Sequence, residues 1–451
     1  MSNERSGFSS RLGFVLATAG SAVGLGNIWR FPYLAAKYGG GTFLLTYLIL
    51  TLTFGFSLMI TEVALGRKAG TSAIRAFGHF SKKHTFIGYL TTIIPFIIFP
   101  YYCVIGGWVT KYALVSLQGG IHNAASDTFF TGFISKSAEP MICVLVFLIA
   151  TTVVVAGGVK GGVERVSTIM MPVLIVLLIG VSLFCITRPG AMAGVAYYLK
   201  PSLKGFGPTT ILAALGQLFY SMSLAMGIMI TFGSYMPKKA DLEKSVTQVE
   251  IFDTGVAFLA GLMIVPAVFV FSNGDSSMLA KGPSLMFVML PKVFDSMAFS
   301  SVIAAVFFIL VLLAALTSSI SLLETLVAVL MDKFHMKRGT ACITMFIIAL
   351  LLAVPSSLGF GAWSNITILG FDFLDFFDFI SNSVLMPIAA FLTCLFVGYI
   401  IKPKVIVDEV ESSGEFKRKS LFLIMAKYIA PICIVAILVF SVLEGLGFIT
   451  V

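Results

Sequence analysis

Residues 10–49 read SRLGFVLATAGSAVGLGNIWRFPYLAAKYGGGTFLLTYLI. An apolar run long enough to cross a bilayer starts at Arg11. Near its middle it is interrupted by Ser21-Ala22-Val23-Gly24-Leu25-Gly26-Asn27, small residues that weaken a helix. A later apolar run, 208–235, is interrupted in the same way by Ser221-Met222-Ser223-Leu224-Ala225-Met226-Gly227. Small residues in a membrane helix also serve close packing, and either stretch alone is open to that reading. Two interruptions at corresponding places in two halves of a chain point to a binding site at the bilayer midplane.

The rest of the chain fits that frame. Of its 451 residues 58% are hydrophobic and 11% charged, too little charge to cover a soluble protein. Eleven transmembrane helices are expected, at roughly 11–36, 41–66, 86–117, 138–157, 165–187, 208–235, 246–272, 297–331, 339–357, 368–400 and 423–447. They form one domain, 1–451. Spans 1–5 (about 11–187) and 6–10 (about 208–400) are two repeats, and span 11 (about 423–447) is an addition. The start of the chain has no small-residue cleavage site before a polar segment, so it reads as a retained first helix.

The net charge of +9 is unevenly placed. Most lysines and arginines fall on the side of the N-terminus when loops alternate, which sets that side as cytoplasmic and the C-terminus as extracellular or periplasmic in a plasma (inner) membrane. The basic excess is thus a topology signal, not a nucleic-acid surface. Segment 402–420, KPKVIVDEVESSGEFKRKS, reads as a solvated cytoplasmic linker. The six cysteines (Cys103, Cys143, Cys185, Cys342, Cys394, Cys433) lie in or beside spans without metal-like spacing. His79, His84, His122 and His335 lie in or near loops, away from any Cys/Asp/Glu set, which argues against a membrane enzyme.

A broken membrane helix exposes N–H and C=O groups that a ligand or ion can satisfy. Helix N-terminal ends suit a carboxylate, and freed carbonyls suit a cation. Ala314, Thr317 and Ser318 share one face of span 8 and offer hard oxygen ligands, although such hydroxyls also back-bond to the preceding turn. Asp253 in span 7 is costly in lipid and should face the interior, as a cation ligand, a proton carrier or half of an ion pair. Asn27 ends the first break and offers an amide oxygen. Ile98 and Tyr102 share one face of span 3, where the phenol can serve a substrate carboxylate or simply pack. Arg30 needs an anion, for which Asp375 near the outer end of span 10 is a candidate. An ion channel would need a continuous pore, against which the paired breaks argue.

These motifs resemble the neurotransmitter:sodium symporter family. They are AVGLGNIWRFP (22–32) with GGGTF (39–43), YYCVIGGW (101–108), GQLFYSMSLAMG (216–227) with TFGSY (231–235), and LTSS (316–319). The resemblance spans helices 1 to 10. It implies an all-α, five-plus-five inverted repeat of the bacterial leucine-transporter type and import of a neutral amino acid with two sodium ions by alternating access. One sodium site is implied at the Ala22 carbonyl, Asn27, Ser221, Asp253 and the substrate carboxylate. The other is implied at the carbonyls of Gly20, Val23 and Ala314 and the hydroxyls of Thr317 and Ser318. The implied substrate pocket includes Ala22, Gly26, Ile98, Tyr102, Tyr220, Ser223, Met226, Ser318 and Leu322. Arg30 with Asp375 matches an outer gate pair and Arg5 with Asp332 an inner one, while Tyr235 and Glu324 match inner polar contacts. Phe8 stands where relatives often carry Trp, and Ala225 where they often carry Gly. Gly24 replaces an Asp usual in amine transporters, so a substrate bringing its own carboxylate fits, and Ile98, Met226 and Leu322 favour a hydrophobic or aromatic side chain. Asp253 replaces a neutral Asn of chloride-dependent relatives and Ala257 offers no hydroxyl, so chloride is not required.

Overall fold

The computed structural model describes residues 7–202, 206–272 and 284–448. Arg5 lies outside them. The described chain is helical, with one isolated bridge between Ile368 and Phe371. That follows from the solvent: in lipid, backbone groups must bond within their own segment, and apolar runs do so as helices. Among the described residues nine long apolar helices are continuous: Gly41–Ala69, Lys82–Leu117, Ala138–Ala156, Val159–Ile186, Leu242–Phe271, Ser300–Phe334, Arg338–Leu358, Phe373–Ile400 and Lys419–Gly445. They are spans 2–5 and 7–11.

Spans 1 and 6 are each two half-helices. Arg11–Ala22 and Gly26–Lys37 meet at a 55° bend. Pro208–Ser221 and Ile228–Tyr235 are joined by 222–227. Within that second break Ser223 and Ala225 take left-handed φ of 52° and 61°, and Gly227 takes 73°. For Ser and Ala that conformation is strained, which the surroundings must hold in place.

Span 10 starts at Phe373, not at 368, because Leu369 and Gly370 turn left-handed inside the 368–371 bridge. A side chain at Gly66 would strike the Ile230 carbonyl, and one at Gly233 the Val63 carbonyl. Two glycines therefore let span 2 and the second half of span 6 touch backbone to backbone.

Segment 402–420 is not a solvated linker. Its helix Lys404–Glu411 buries Ile406, Val407 and Val410. Arg67, buried at the end of span 2, donates to Glu409 Oε1 (2.8 Å), the Ala240 carbonyl (2.9 Å) and Ser413 Oγ (3.0 Å). Glu243 accepts from the N–H groups of Lys417 (2.7 Å) and Arg418 (3.0 Å), and Arg418 pairs with Glu250 (3.0 Å). The segment's apolar spacing is that of an amphipathic helix, and partners on spans 2 and 7 pin it down.

Candidate functional site

The break in span 1 is stitched to its neighbours by side chains. The first half of span 1 stops at Ala22 because Val23 turns to extended backbone. Ser318 Oγ on span 8 then lies 3.2 Å from the Ser21 carbonyl, 3.3 Å from that of Val23 and 3.5 Å from that of Gly20. Thr317 Oγ1 donates to the Ala314 carbonyl at 3.0 Å, the back-bond open to any helical threonine. Ser223, in the other break, donates to the Ser21 carbonyl at 3.0 Å, so the two interruptions touch directly.

Asp253 is fully buried beside them. Its Oδ1 accepts from Asn27 Nδ2 (2.7 Å) and Ser221 Oγ (2.8 Å), and its Oδ2 from the Tyr47 hydroxyl (3.1 Å). Among the described residues no cation pairs with it, which removes the ion-pair reading of this carboxylate. The Asn27 Oδ1 accepts from the Gly24 N–H at 3.1 Å, tying the break to span 7. Gln217 donates to the Gly26 carbonyl at 2.9 Å, and the buried Glu62 accepts from the Ala225 N–H at 2.7 Å, holding that left-handed residue.

Between the breaks is a cavity of ≈ 40 Å³. Its lining combines the hydroxyls of Ser21, Tyr102, Ser223 and Ser318 with the apolar side chains of Ile98, Met226, Ile228 and Leu322. Since one water needs roughly 10–15 Å³, this space has room for only a few waters. Tyr102 is buried and its hydroxyl has no well-formed hydrogen bond among the described residues, although Ser318 and the Leu25 backbone are its polar neighbours. A Cβ at Gly24 would lie 2.6 Å from Ser318 Oγ and 3.4 Å from the Tyr102 hydroxyl, so a side chain here would have to displace the Ser318 hydroxyl. A Cβ at Gly26 would strike the Tyr220 ring, which closes the cavity's roof.

Above that roof a vestibule of ≈ 380 Å³ contains Trp29, Arg30, Trp108, Tyr220, Asp375 and Asp378. Arg30 lies over the Tyr220 ring, 5.3 Å from its centroid. Among the described residues it forms no ion pair with Asp375, although both line this vestibule. Arg30 acts electrostatically on Asp378, one turn further on. Asp378 also accepts from Tyr101 (3.2 Å) and Asn382 (2.6 Å). The opposite, basic end is sealed. Glu324 is clasped by Arg338 through both carboxylate oxygens (2.6 and 2.8 Å) and accepts from the Tyr235 hydroxyl at 2.9 Å. Phe8 is buried against Phe14, Phe232 and Tyr235, and its N–H donates to the Tyr235 carbonyl at 3.0 Å. Asp332 accepts from the Ser72 N–H at 2.7 Å, and Arg5, its expected partner, lies outside the described residues.

The chain matches the Sodium:neurotransmitter symporter family over residues 5–132 and 128–446. It belongs to that family. This symporter is 35% identical over 438 residues to an uncharacterized sodium-dependent transporter, YhdH, of Bacillus subtilis, covering 95% of this chain and 96% of that one. To an uncharacterized sodium-dependent transporter of Haemophilus influenzae it is 34% identical, covering 97% and 98%. The crystal structure of MhsT in complex with L-phenylalanine superposes on the symporter with a TM-score of 0.87 at 38% identity, covering 97% of this chain and all of that one. The fold is therefore that of the leucine-transporter type, and the protein is a sodium-dependent membrane transporter of a small molecule, not an enzyme.

The structure brings every described pocket and ion-site residue expected from sequence to the two breaks or the helices facing them. Sequence reasoning passed over Tyr47, Glu62, Gln217, Asp378 and Arg338. For Glu62 the signal was present, since it is a carboxylate inside an apolar span, as Asp253 is. Tyr47 and Gln217 carried no such signal.

Proposed function

We propose that this symporter imports a neutral, hydrophobic or aromatic L-amino acid together with two sodium ions, without requiring chloride. The observation that carries the reading is the cavity between the breaks, polar where backbone is freed and apolar at Ile98, Met226 and Leu322. A zwitterion presents its carboxylate to Tyr102 and the span 1 break, and its side chain to the apolar wall. Asp253 with Asn27 and Ser221 supplies one cation site, its carboxylate standing in for the negative charge that chloride provides in other members. The freed carbonyls of Gly20 and Val23 with Ser318 supply the other, joined by Thr317 and Ala314. The L-phenylalanine bound by the similar MhsT supports this substrate class. So does Gly24, which offers no carboxylate to an amine that lacks one.

The basic side is taken as cytoplasmic by the charge rule. Arg30, Asp375 and Asp378 then border the outer vestibule, and Tyr235, Glu324, Asp332 and Arg338 the inner seal. The test is uptake of radiolabelled amino acids into proteoliposomes under inward sodium or potassium gradients. Concentrative uptake of a hydrophobic or aromatic amino acid in sodium alone is expected. Equal accumulation in potassium, driven by a pH gradient, would replace sodium with proton coupling.

A further inference from the structure

A groove of ≈ 670 Å³ lies where the basic-side ends of spans 10 and 11 meet the Lys404–Glu411 helix. Four lysines line it, Lys402, Lys404, Lys419 and Lys427, against two carboxylates, Asp408 and Glu411. Lys419 pairs with Glu411 at 2.8 Å. Lys402, Lys404 and Lys427 enter no ion pair among the described residues, leaving three unneutralised ammonium groups facing one carboxylate.

Lys402 takes a left-handed φ of 67° just after span 10, a place where glycine is usual and a long side chain is strained. The groove's other wall is apolar and faces outward: Leu423, Ile424 and Tyr428 on span 11 line it and are exposed. The neighbouring Tyr399 and Tyr428 are exposed at the ends of these spans, the headgroup depth where tyrosines gather.

We propose that this groove binds an anionic phospholipid. Its phosphate sits among Lys402, Lys404 and Lys427, and its acyl chains run along Leu423 and Ile424. The charge selects an anion. The lipid-facing apolar wall selects an anion that carries its own hydrocarbon, since a free phosphate gains nothing there. Basic pockets between membrane helices recognise headgroups on these terms. The docked 402–420 segment forms part of the groove and also grips spans 2 and 7, so a bound lipid steadies that contact.

The experiment titrates the purified full-length protein in detergent with phosphatidylglycerol, phosphatidylcholine or inorganic phosphate, reading the thermal-unfolding midpoint and lipid adducts by native mass spectrometry. Saturable stabilisation by phosphatidylglycerol alone is expected. Each lysine contributes roughly five-fold in affinity, so Lys402→Gln/Lys404→Gln/Lys427→Gln should weaken binding on the order of 100-fold. Lys82→Gln/Lys83→Gln, on a separate exposed turn, should leave it unchanged. Asp408→Asn should tighten binding, an arm that does not depend on the triple variant folding. Equal stabilisation by phosphatidylcholine or by phosphate, unchanged binding in the triple variant, or no tightening in Asp408→Asn would each overturn the proposal.

Discussion

Asp253→Asn separates the proposed sodium ligand from a merely structural carboxylate. The side chain accepts three hydrogen bonds, at 2.7 Å from Asn27, 2.8 Å from Ser221 and 3.1 Å from Tyr47. Asparagine has the same size and keeps one acceptor oxygen. With that oxygen toward Asn27 and Ser221, its amide faces the Tyr47 hydroxyl, which can rotate to accept. The folded state then loses mainly the charged character of these bonds, about 1 kcal/mol. For a bound cation the loss is larger. A unit charge about 4 Å away contributes about 4 kcal/mol at an effective dielectric near 20, and a neutral amide oxygen recovers about 1 kcal/mol of that. The net is about 3 kcal/mol, on the order of a 100-fold rise in the sodium concentration for half-maximal uptake.

The assay is the sodium activation curve in proteoliposomes, with the thermal midpoint measured in parallel to show that the variant is folded. A folded variant whose half-saturation stays within about three-fold of the parent would refute Asp253 as a ligand. Substituting gluconate for chloride should leave uptake by the parent protein unchanged. Loss of uptake there would refute the carboxylate as the chloride substitute.

Ser318→Ala should raise half-saturating sodium more than Thr317→Ala, because Ser318 faces the freed carbonyls while Thr317 is engaged with its own helix; neutral ligands give roughly five- to thirty-fold, and equal curves for the double variant and parent would remove both from the site. Tyr102→Phe should lower substrate affinity about ten-fold or more yet leave the thermal midpoint unchanged, since that hydroxyl lacks a well-formed protein bond; retained affinity in binding assays would exclude it from carboxylate recognition. Arg338→Ala leaves the buried Glu324 uncompensated, a loss of about 3–5 kcal/mol to the sealed form, and should raise the labelling of a cysteine placed below the cavity from the basic side; unchanged labelling would show that the seal rests on the packing of Phe8.

The eleven spans were legible because lipid leaves apolar segments one way to satisfy their backbones. The two breaks were legible because small and hydroxyl residues cluster where a helix interior needs neither. Asp253 stood out by the cost of a charge at that depth. Its partner Tyr47 did not, because an aromatic in an apolar span looks like packing until its hydroxyl is placed. Asp375 and Asp378 stand one turn apart on span 10 and both border the vestibule. Which of the two comes under the influence of Arg30 depends on the rotation of span 10, which no local pattern encodes. In 402–420 the charged residues hid the apolar positions Ile406, Val407 and Val410, whose spacing belongs to a docked helix. The partners that hold it, Arg67 and Glu243, lie far away in sequence.

Coupling between ion and substrate follows from the single short backbone segment that the proposed sites share. Residues 20–27 supply the carbonyls gathered by Ser318, the N–H bonded by Asn27, and the surface against which Tyr220 closes. A ligand shifts a conformational equilibrium only by its difference in affinity for the two forms. A cation bound at either proposed site favours the form in which this segment keeps its present shape. In that same shape the absence of side chains at Gly24 and Gly26 lets Ser318, Tyr102 and the Tyr220 ring approach the segment closely beside the cavity. Sodium therefore need not touch the proposed substrate's side chain to raise its affinity. It need only hold a segment of eight residues against spans 6, 7 and 8.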